Sequence, residues 1–253
     1  MAVKIVFANH KGGVGKSTTS ICVAQELIRR EYKVLFIDGD RQGNASKFYR
    51  ASFEDQATLI DILVDEVPAE ECIQHTERGD IIAYDAQLAK AETIVSSDEL
   101  RFLHLKRACK SLDEMYDYII IDTPPAIDVT VKNCLAYVDY VVIPTDESGW
   151  AIEGIMDFSK AVNMAQDTTN PNLKIAGVLI CKGKTFKKSQ RALENCSKIC
   201  EALHTKTFDT VIRESAACQE ALTEFGVPLR EYAPHGNTTL DYDHFVDELQ
   251  EGI

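Results

Sequence analysis

The chain has 253 residues, 45% of them hydrophobic, and a formal net charge of −13. This length suits one α/β domain with a substantial core, so we expect a single domain over residues 1–253. The acidic balance argues against a protein that coats nucleic acid with its whole surface, but it leaves room for one local basic patch. The eight cysteines form no Cys-x-x-Cys pair, and no secretory signal precedes them. Both features predict free thiols in a cytoplasmic protein.

Strand and helix signals alternate along the chain and predict an α/β fold, a doubly wound and mainly parallel sheet with helices on both faces. Continuous apolar runs are typical of strands buried on both sides. The predicted strands are 3–8, 33–38, 80–83, 118–122, 140–144, 174–181 and 207–211. The predicted helices are 17–30, 58–65, 98–113, 128–138, 150–166, 188–203, 215–225 and 239–250. Residues 41–55 are predicted to form a mobile loop with a short helix.

Residues 9–18 read Asn-His-Lys-Gly-Gly-Val-Gly-Lys-Ser-Thr and join the first predicted strand to the first predicted helix. Glycines let backbone N–H groups approach an anion closely, and the helix N-terminus adds the positive end of its dipole. In this register Lys16 would reach the β- and γ-phosphates of a nucleotide, and Ser17 would hold Mg²⁺. A plain glycine-rich turn is the alternative, but it does not explain two lysines, three glycines and Ser-Thr in one register.

The ordinary phosphate-loop pattern has glycine at the position of His10, and a second lysine, Lys11, follows here. One nucleotide already has its lysine in Lys16. We therefore interpret Lys11 as a group for a different phosphate tail, carried by a neighbouring subunit.

Carboxylates follow two of the buried apolar runs. Asp122 closes the run 118–121, and Asp38 and Asp40 follow the run 34–37. Ligands of open α/β sheets lie at the carboxyl ends of the strands, so these acids and the phosphate loop should share one crevice. An acid in such a place typically holds Mg²⁺. We expect Asp40 and Asp122 to be functional, whereas Asp38 could equally be structural.

Three segments together resemble one family. Residues 11–17, Lys-Gly-Gly-Val-Gly-Lys-Ser, resemble the deviant Walker A motif of the ParA/MinD ATPases. Residues 38–44, Asp-Gly-Asp-Arg-Gln-Gly-Asn, resemble their second motif, and Ile-Asp-Thr-Pro-Pro at 121–125 resembles their Walker B motif. Residues 80–90 and 220–229 resemble later ParA segments, so the resemblance covers nearly the whole chain. It is closest to the small Soj-like ParA partition ATPases, because the phosphate loop begins at residue 9.

The resemblance implies a P-loop ATPase with ATP and Mg²⁺ as cofactors. The nucleotide would be held by the loop and the start of the helix, namely Lys11, Gly12, Gly13, Val14, Gly15, Lys16, Ser17 and Thr18. The metal candidates are Ser17, Asp40 and Asp122, the last acting through the hydration shell of the ion. Lys11, reaching across a dimer, Lys16, and Asp40, orienting the attacking water, would carry catalysis.

The sequence departs from the family pattern in two further places. Arg41 replaces a proline, which would loosen the loop that carries Asp40 or add a charge to it. Around residues 211–215, Soj-like proteins usually have a proline and an asparagine beside the nucleotide base. Arg213 and Ser215 stand there instead, and we take them as candidate base contacts.

Residues 182–191 form a basic segment with no acid in an acidic chain. The basic residues are Lys182, Lys184, Lys187, Lys188 and Arg191. The segment leads into a predicted helix, whose N–H groups could also meet phosphate. By itself it could be a solvated lysine-rich loop. With the family resemblance, a non-specific DNA-binding patch is the favoured interpretation.

The resemblance implies an ATP-dependent homodimer that binds DNA non-specifically and associates with the nucleoid. A ParB-like centromere-binding protein would stimulate hydrolysis and so drive plasmid or chromosome segregation. One alternative is a ParA-like ATPase that positions a non-DNA cargo. A MinD-like membrane cycle is disfavoured, because residues 239–253 contain five acids and no lysine or arginine. Two further alternatives are a nitrogenase-type reductase, for which no cysteine motif matches, and a non-enzymatic switch if Arg41 disables the Asp40 loop.

Overall fold

The computed structural model describes residues 1–148 and 151–253, with side chains omitted for 151–153. An eight-stranded sheet lies at its centre in the order β3-β4-β2-β5-β1-β6-β7-β8. The strands are β1 Val3–Phe7, β2 Val34–Asp38, β3 Ile73–Thr76, β4 Gly79–Ile82, β5 Tyr118–Asp122, β6 Tyr140–Thr145, β7 Lys174–Gly183 and β8 Thr207–Arg213. Every neighbouring pair is parallel except β3 and β4, which are antiparallel.

Helices cover both faces of this sheet, which confirms the predicted doubly wound α/β fold. One face carries α3 Leu59–Val64, α4 Leu88–Ile94, α5 His104–Ala108, α6 Val129–Tyr137, α7 Ala151–Thr168 and α8 Phe186–Ala202. The other carries α1 Lys16–Arg29, α2 Asn44–Tyr49, α9 Ala216–Gln219, α10 Leu229–Tyr232 and α11 Asn237–Gly252. Successive strand residues alternate between the two cores, as the pleat of a doubly covered sheet requires.

The register of the central strands brings their carboxyl ends together. In β5, Asp122 is level with Phe7 of β1 on one side and with Asp38 of β2 on the other. The loops that follow β1, β2 and β5 therefore leave the sheet at one edge. This is the crevice that the positions of the acids predicted.

One strand of the sheet differs from prediction, and one short helix agrees with it. Strand β3 was not predicted. It pairs with β4 across a two-residue turn, after which Gly79 begins β4 with φ 120°, and a four-residue strand is too short to show a clear alternation. Helix α2 lies inside the segment 41–55, where a short helix in a mobile loop was predicted.

The predicted helix 98–113 is wrong. Helix α5 covers only His104–Ala108, and a short 3₁₀ helix follows at Lys110–Glu114. The buried Asn133 side chain accepts the N–H of Leu105 and donates to the carbonyl of Arg101. These tertiary bonds fix where the helix starts, and local sequence does not reveal them.

The predicted helix 215–225 is α-helical only in α9 and continues as a π-helical turn, Glu220–Phe225. For the predicted helix 150–166, the structure gives α7 as Ala151–Thr168, and the predicted first residue, Trp150, lies outside the described residues.

Candidate functional site

The loop between β1 and α1 has the backbone of an anion-binding loop. Gly13 and Gly15 have φ values of 75° and 97°, a region that side chains disfavour. A Cβ at Gly15 would also lie 3.4 Å from the Cβ of Cys181. Val14 is buried and anchors the loop in the core, while Gly12 and Gly13 are exposed. The loop is thus anchored through Val14, and its glycines at 12 and 13 are accessible to a ligand.

Lys16 begins α1 and is buried, with 6% of its surface exposed. Its ammonium donates to the Lys11 carbonyl at 3.0 Å, which folds the side chain back over the loop. Burial lowers the pKa of Lys16, and the nearby carboxylates of Asp122 and Asp40 oppose that change. The ammonium therefore lies beside two acids at the mouth of the loop.

Asp122 is completely buried, and neither of its carboxyl oxygens has a hydrogen-bond partner. Burial raises the pKa of Asp122 well above its ordinary value, and the Asp38 carboxylate adds to the rise. Ser17 and Lys16 act in the opposite direction. An unpaired buried carboxylate is costly unless a cation or donor satisfies it. The donor set of Asp122, Ser17 and Asp40 fits a hydrated Mg²⁺ ion, which takes oxygen ligands.

Asp38 has a structural task. Its carboxylate accepts the N–H and the hydroxyl of Ser46, each at 2.7 Å, and the N–H of Asp40 at 3.2 Å. Burial nevertheless raises its pKa to about 6. These bonds hold the turn that presents Asp40, whose carboxylate accepts the N–H of Gln42 at 3.0 Å. Arg41, between them, is exposed. The sequence left open whether Asp38 is functional or structural, and these hydrogen bonds give it a structural role.

Lys11 makes contacts that sequence reasoning missed. Its ammonium donates to both carboxylate oxygens of Asp146, at 2.8 and 2.9 Å, and to the Ser148 hydroxyl at 2.7 Å. Asn9, buried beneath, accepts the Lys11 N–H and donates to the Pro144 carbonyl. Asp146 follows β6 at the same sheet edge as the other acids, so the strand-end argument used for Asp122 could have found it. Lys11 is held beside the phosphate loop by another element of its own chain.

Arg213 and Ser215 lie on the opposite side of the loop, in a cleft shared with Gly15 and Thr18. The guanidinium of Arg213 is bound by the Asp241 carboxylate of α11, through Nε at 2.9 and 3.1 Å. The Ser215 hydroxyl accepts the N–H of Cys218 and so caps α9. Both residues therefore border the candidate nucleotide cleft, and both side chains already have partners within the chain.

The basic segment 182–191 ends β7 and begins α8, and all five of its basic residues are exposed. Four of them line one shallow surface cavity, which Lys187 does not reach: Lys182, Lys184, Lys188 and Arg191. Three acids from other segments line it too: Asp146, Glu147 and Glu214. Lys184 pairs with Glu214 at 3.4 Å, and Glu147 accepts the Ser189 hydroxyl and the Lys184 N–H. The segment 182–191 contains no acid in the sequence, but in the structure its basic side chains lie among acids from other segments.

Comparison with known proteins identifies the family. The AAA domain family matches residues 2–175. The sporulation initiation inhibitor protein Soj of Bacillus subtilis is 34% identical over 248 residues, covering 97% of this chain and 97% of Soj. The chain belongs to the ParA/Soj-like family of partition ATPases. It is accordingly a P-loop NTPase, as its loop geometry indicates.

Solved structures of ParA-like proteins superpose over the whole chain. Apo McdA of Cyanothece has a TM-score of 0.87 at 26% identity and covers 99% of this chain and 100% of its own. A plasmid partition protein of Borrelia burgdorferi B31, bound to AMPPNP, has a TM-score of 0.80 at 27% identity and covers both chains completely. The ParA/Soj-like fold is therefore present from end to end.

The last helix of this ParA/Soj-like chain is part of the core. In α11 the large apolar residues Tyr242, Phe245, Val246 and Leu249 are buried, and its acids pair with Arg29 and Arg30 of α1. The apolar face of α11 is therefore covered by the core and not free to bind another surface. Within the described residues, no helix combines the length and apolarity needed to cross a bilayer.

Proposed function

We propose that this chain is a Mg²⁺-dependent ATPase that dimerises with ATP, binds DNA non-specifically as a dimer, and segregates plasmid or chromosomal DNA. A ParB-like partner would stimulate hydrolysis, and the protein would work in the cytoplasm on the nucleoid. One observation carries the proposal. Lys16, Asp40 and the unpartnered Asp122 converge on the phosphate loop, while the ammonium of Lys11 is bound by Asp146 and Ser148.

ATP and Mg²⁺ are the cofactors that this arrangement fits. The Borrelia relative is bound to AMPPNP, and McdA is also known as an ATP complex. In this chain the backbone of residues 12–16 would hold the phosphates, with Lys16 opposite their charge. Ser17 and Asp122 would hold the ion, whose positive charge neutralises the phosphates as the terminal bond breaks. Asp40, held rigidly through Asp38, would orient the attacking water.

In this proposal, Lys11 makes ATP hydrolysis depend on dimerisation. Two lysines for each phosphate tail provide the positive charge that an arginine finger provides elsewhere. The second lysine becomes available only if Lys11 leaves Asp146 and reaches the nucleotide of a partner subunit. Hydrolysis is then restricted to the dimer.

The basic patch explains why DNA binding would need the dimer. The cavity that holds four of its basic residues also holds three acids, so its local formal charge is only +1 in a chain of −13. Such a site is weak by itself. Two copies on one face of a dimer act with a high effective concentration, which converts a weak contact into useful affinity.

The proposal is tested with the variant Lys11→Ala. Because Lys16 and the metal groups remain, the variant should bind ATP about as tightly as wild type in calorimetry. It should lose most phosphate release, because the charge that crosses the dimer is missing. Charge-matched Lys90→Ala, on the exposed surface of α4, should behave as wild type. Wild-type turnover by Lys11→Ala would contradict this role of Lys11.

A further inference from the structure

A second group of potential metal ligands lies apart from the phosphate loop. Glu66 follows α3, Asp98 lies between α4 and α5, and His104 opens α5. One ligand atom of each residue lies within 4.8 Å of the others. None of the three lines the cleft beside the phosphate loop, so the nucleotide chemistry proposed above does not use them.

His104 is the informative member of the group. Its side chain is 2% exposed, and its Nδ1 lies 2.6 Å from the Leu63 carbonyl oxygen. A carbonyl only accepts, so Nδ1 carries a hydrogen, and Nε2 is the ring nitrogen that is left for a ligand. That nitrogen is buried and has no hydrogen-bond partner. Asp98 Oδ2 lies 2.6 Å from Nε2, close enough to share a metal ion with it.

We propose that Glu66, Asp98 and His104 bind a divalent transition-metal ion, for which Zn²⁺ is the best match. One imidazole with two carboxylates is a ligand set for such ions, whereas Mg²⁺ and Ca²⁺ prefer oxygen alone. Histidine ligands characteristically donate their other ring N–H to a carbonyl or carboxylate, as His104 does to Leu63. The fourth position would be open to water from the surface cavity that Glu66 and His104 line.

The surrounding contacts leave the ligand atoms available. The other oxygen of Asp98, Oδ1, accepts the N–H of Leu100 at 2.7 Å, which orients the carboxylate. Glu66 pairs with Arg107 at 3.1 Å, and the Arg107 side chain is 55% exposed, so it can turn outward into water. A tetrahedral ion keeps neighbouring ligand atoms about 3.4 Å apart, so Asp98 Oδ2 would move by about 0.8 Å. The two carboxylates match the charge of the ion.

A bound ion would join three segments that the sheet does not connect directly. These are the end of α3, the α4–α5 connection and the first turn of α5. The site would therefore stabilise this helical layer, and its effect would not depend on ATP.

The test compares zinc binding by EDTA-treated full-length wild type, Asp98→Asn and Glu66→Gln in competition with a chromophoric chelator. Glu99→Gln, an exposed acid next to Asp98, is the matched control. Wild type and the control should each bind one more tightly held Zn²⁺, with affinity at least about 100-fold above that of Asp98→Asn. Zinc bound elsewhere is common to all four proteins and cancels in the comparison.

Two further readouts separate ligation from a structural role. Zn²⁺ should raise the melting temperature of wild type and of Glu99→Gln, but not of the two ligand variants. Cobalt(II) at the site should give a visible spectrum without thiolate charge transfer, because none of the three ligands is a cysteine. Equal zinc affinity in wild type, Asp98→Asn and Glu66→Gln would overturn the site, as would a wild type that binds no zinc. Neither result bears on the ATPase proposal.

Discussion

At the scale of single residues, the pair of Lys11 and Asp146 controls the proposed cycle. Both side chains are about one quarter exposed, at 30% and 26%, so the pair is neither a free surface contact nor a buried one. Burial would raise the pKa of Asp146, but hydrogen bonds from Lys11 and Ser148 lower it, which keeps the carboxylate charged. In the proposed cycle, Lys11 would have to leave this contact before it could reach the nucleotide of a partner subunit.

Removing this contact should make dimerisation easier. A partly exposed ion pair contributes about 1 kcal/mol, so Asp146→Asn should reduce the ATP concentration for half-maximal dimerisation by about fivefold. Multi-angle light scattering over an ATP titration measures the midpoint. Glu77→Gln, which removes an exposed pair with Arg50, is the control. A midpoint that rises in Asp146→Asn would show that Asp146 supports the dimer rather than restrains it.

The residues of the site were predictable where a motif or a strand end marked them. Lys16 and Ser17 followed from the spacing of the loop, and Asp122 from the end of a buried strand. Asp146 obeys the same strand-end logic after β6, but no motif drew attention to it. The partner of Arg213, Asp241, comes from a distant helix, and local sequence carries no signal for such a pair.

At the scale of elements, the start of α8 carries the proposed DNA-binding segment, and acids from other segments change its local charge. The sequence shows five basic residues in a row of ten, and the structure adds Glu147 and Glu214. Glu147 belongs to the same loop as Asp146. The loop that holds Lys11 through Asp146 therefore also contacts α8 through Ser189.

Reversing the charge of this element should abolish ATP-dependent DNA binding. The variant changes Lys184, Lys187, Lys188 and Arg191 to Glu, and basal ATP turnover should persist because no phosphate-loop residue is altered. The control changes Lys33, Lys90, Lys106 and Lys110 to Glu, which alters net charge equally at exposed positions elsewhere. Fluorescence anisotropy with unrelated duplexes should show wild-type affinity that is insensitive to sequence and falls steeply with salt. Unimpaired DNA binding by the first variant would make the segment a solvated loop.

The contact between α1 and α11 gives a prediction for pH. Burial would raise the pKa of Asp243, but the hydrogen bond from Arg30 and the positive charges of Arg230 and Arg30 bring it to about 2, below the ordinary 3.8. A depressed pKa stabilises the fold above about pH 4, and this contribution is lost as the pH falls towards 2. Asp243→Asn should therefore lose about 1 kcal/mol of unfolding free energy at pH 7, because solvent screens this partly exposed ion pair.

Urea unfolding at a series of pH values checks this expectation. The difference between wild type and Asp243→Asn should shrink as the pH approaches 2, while the exposed control Glu251→Gln should stay close to wild type throughout. A difference that is constant with pH would mean that packing, not ionisation, causes the loss.

The elements themselves were predictable to different degrees. Strands such as β5 and the long helices α1 and α11 show a clear apolar pattern over many residues. Helix α5 does not, because Asn133 from α6 sets its start, and β3 is too short for its alternation to be legible. A tertiary contact therefore explains the error in α5, and short length explains the missed β3.

At the scale of the whole molecule, the doubly wound sheet places every group of the proposed cycle at one edge. The phosphate loop, Asp40, Asp122 and Asp146 leave the sheet there after four different strands. The fold order follows from the alternation of strands and helices, and the family match supports it over 97% of the chain. The fold of a single chain does not complete the proposed site, because Lys11 is bound by Asp146 of the same chain. In the proposed cycle, dimerisation is the step that completes it.

The most direct measurement of the central claim is the molar mass of the variant Asp40→Ala with ATP and Mg²⁺, by light scattering. The variant keeps Lys11, Lys16, Ser17 and Asp122 and loses only the group proposed to orient the water. It should therefore accumulate as a dimer with ATP and remain a monomer with ADP, while the double variant Lys11→Ala, Asp40→Ala stays monomeric with either nucleotide. A monomeric Asp40→Ala under conditions in which wild type dimerises, or a dimer that forms equally well without Lys11, would contradict the account.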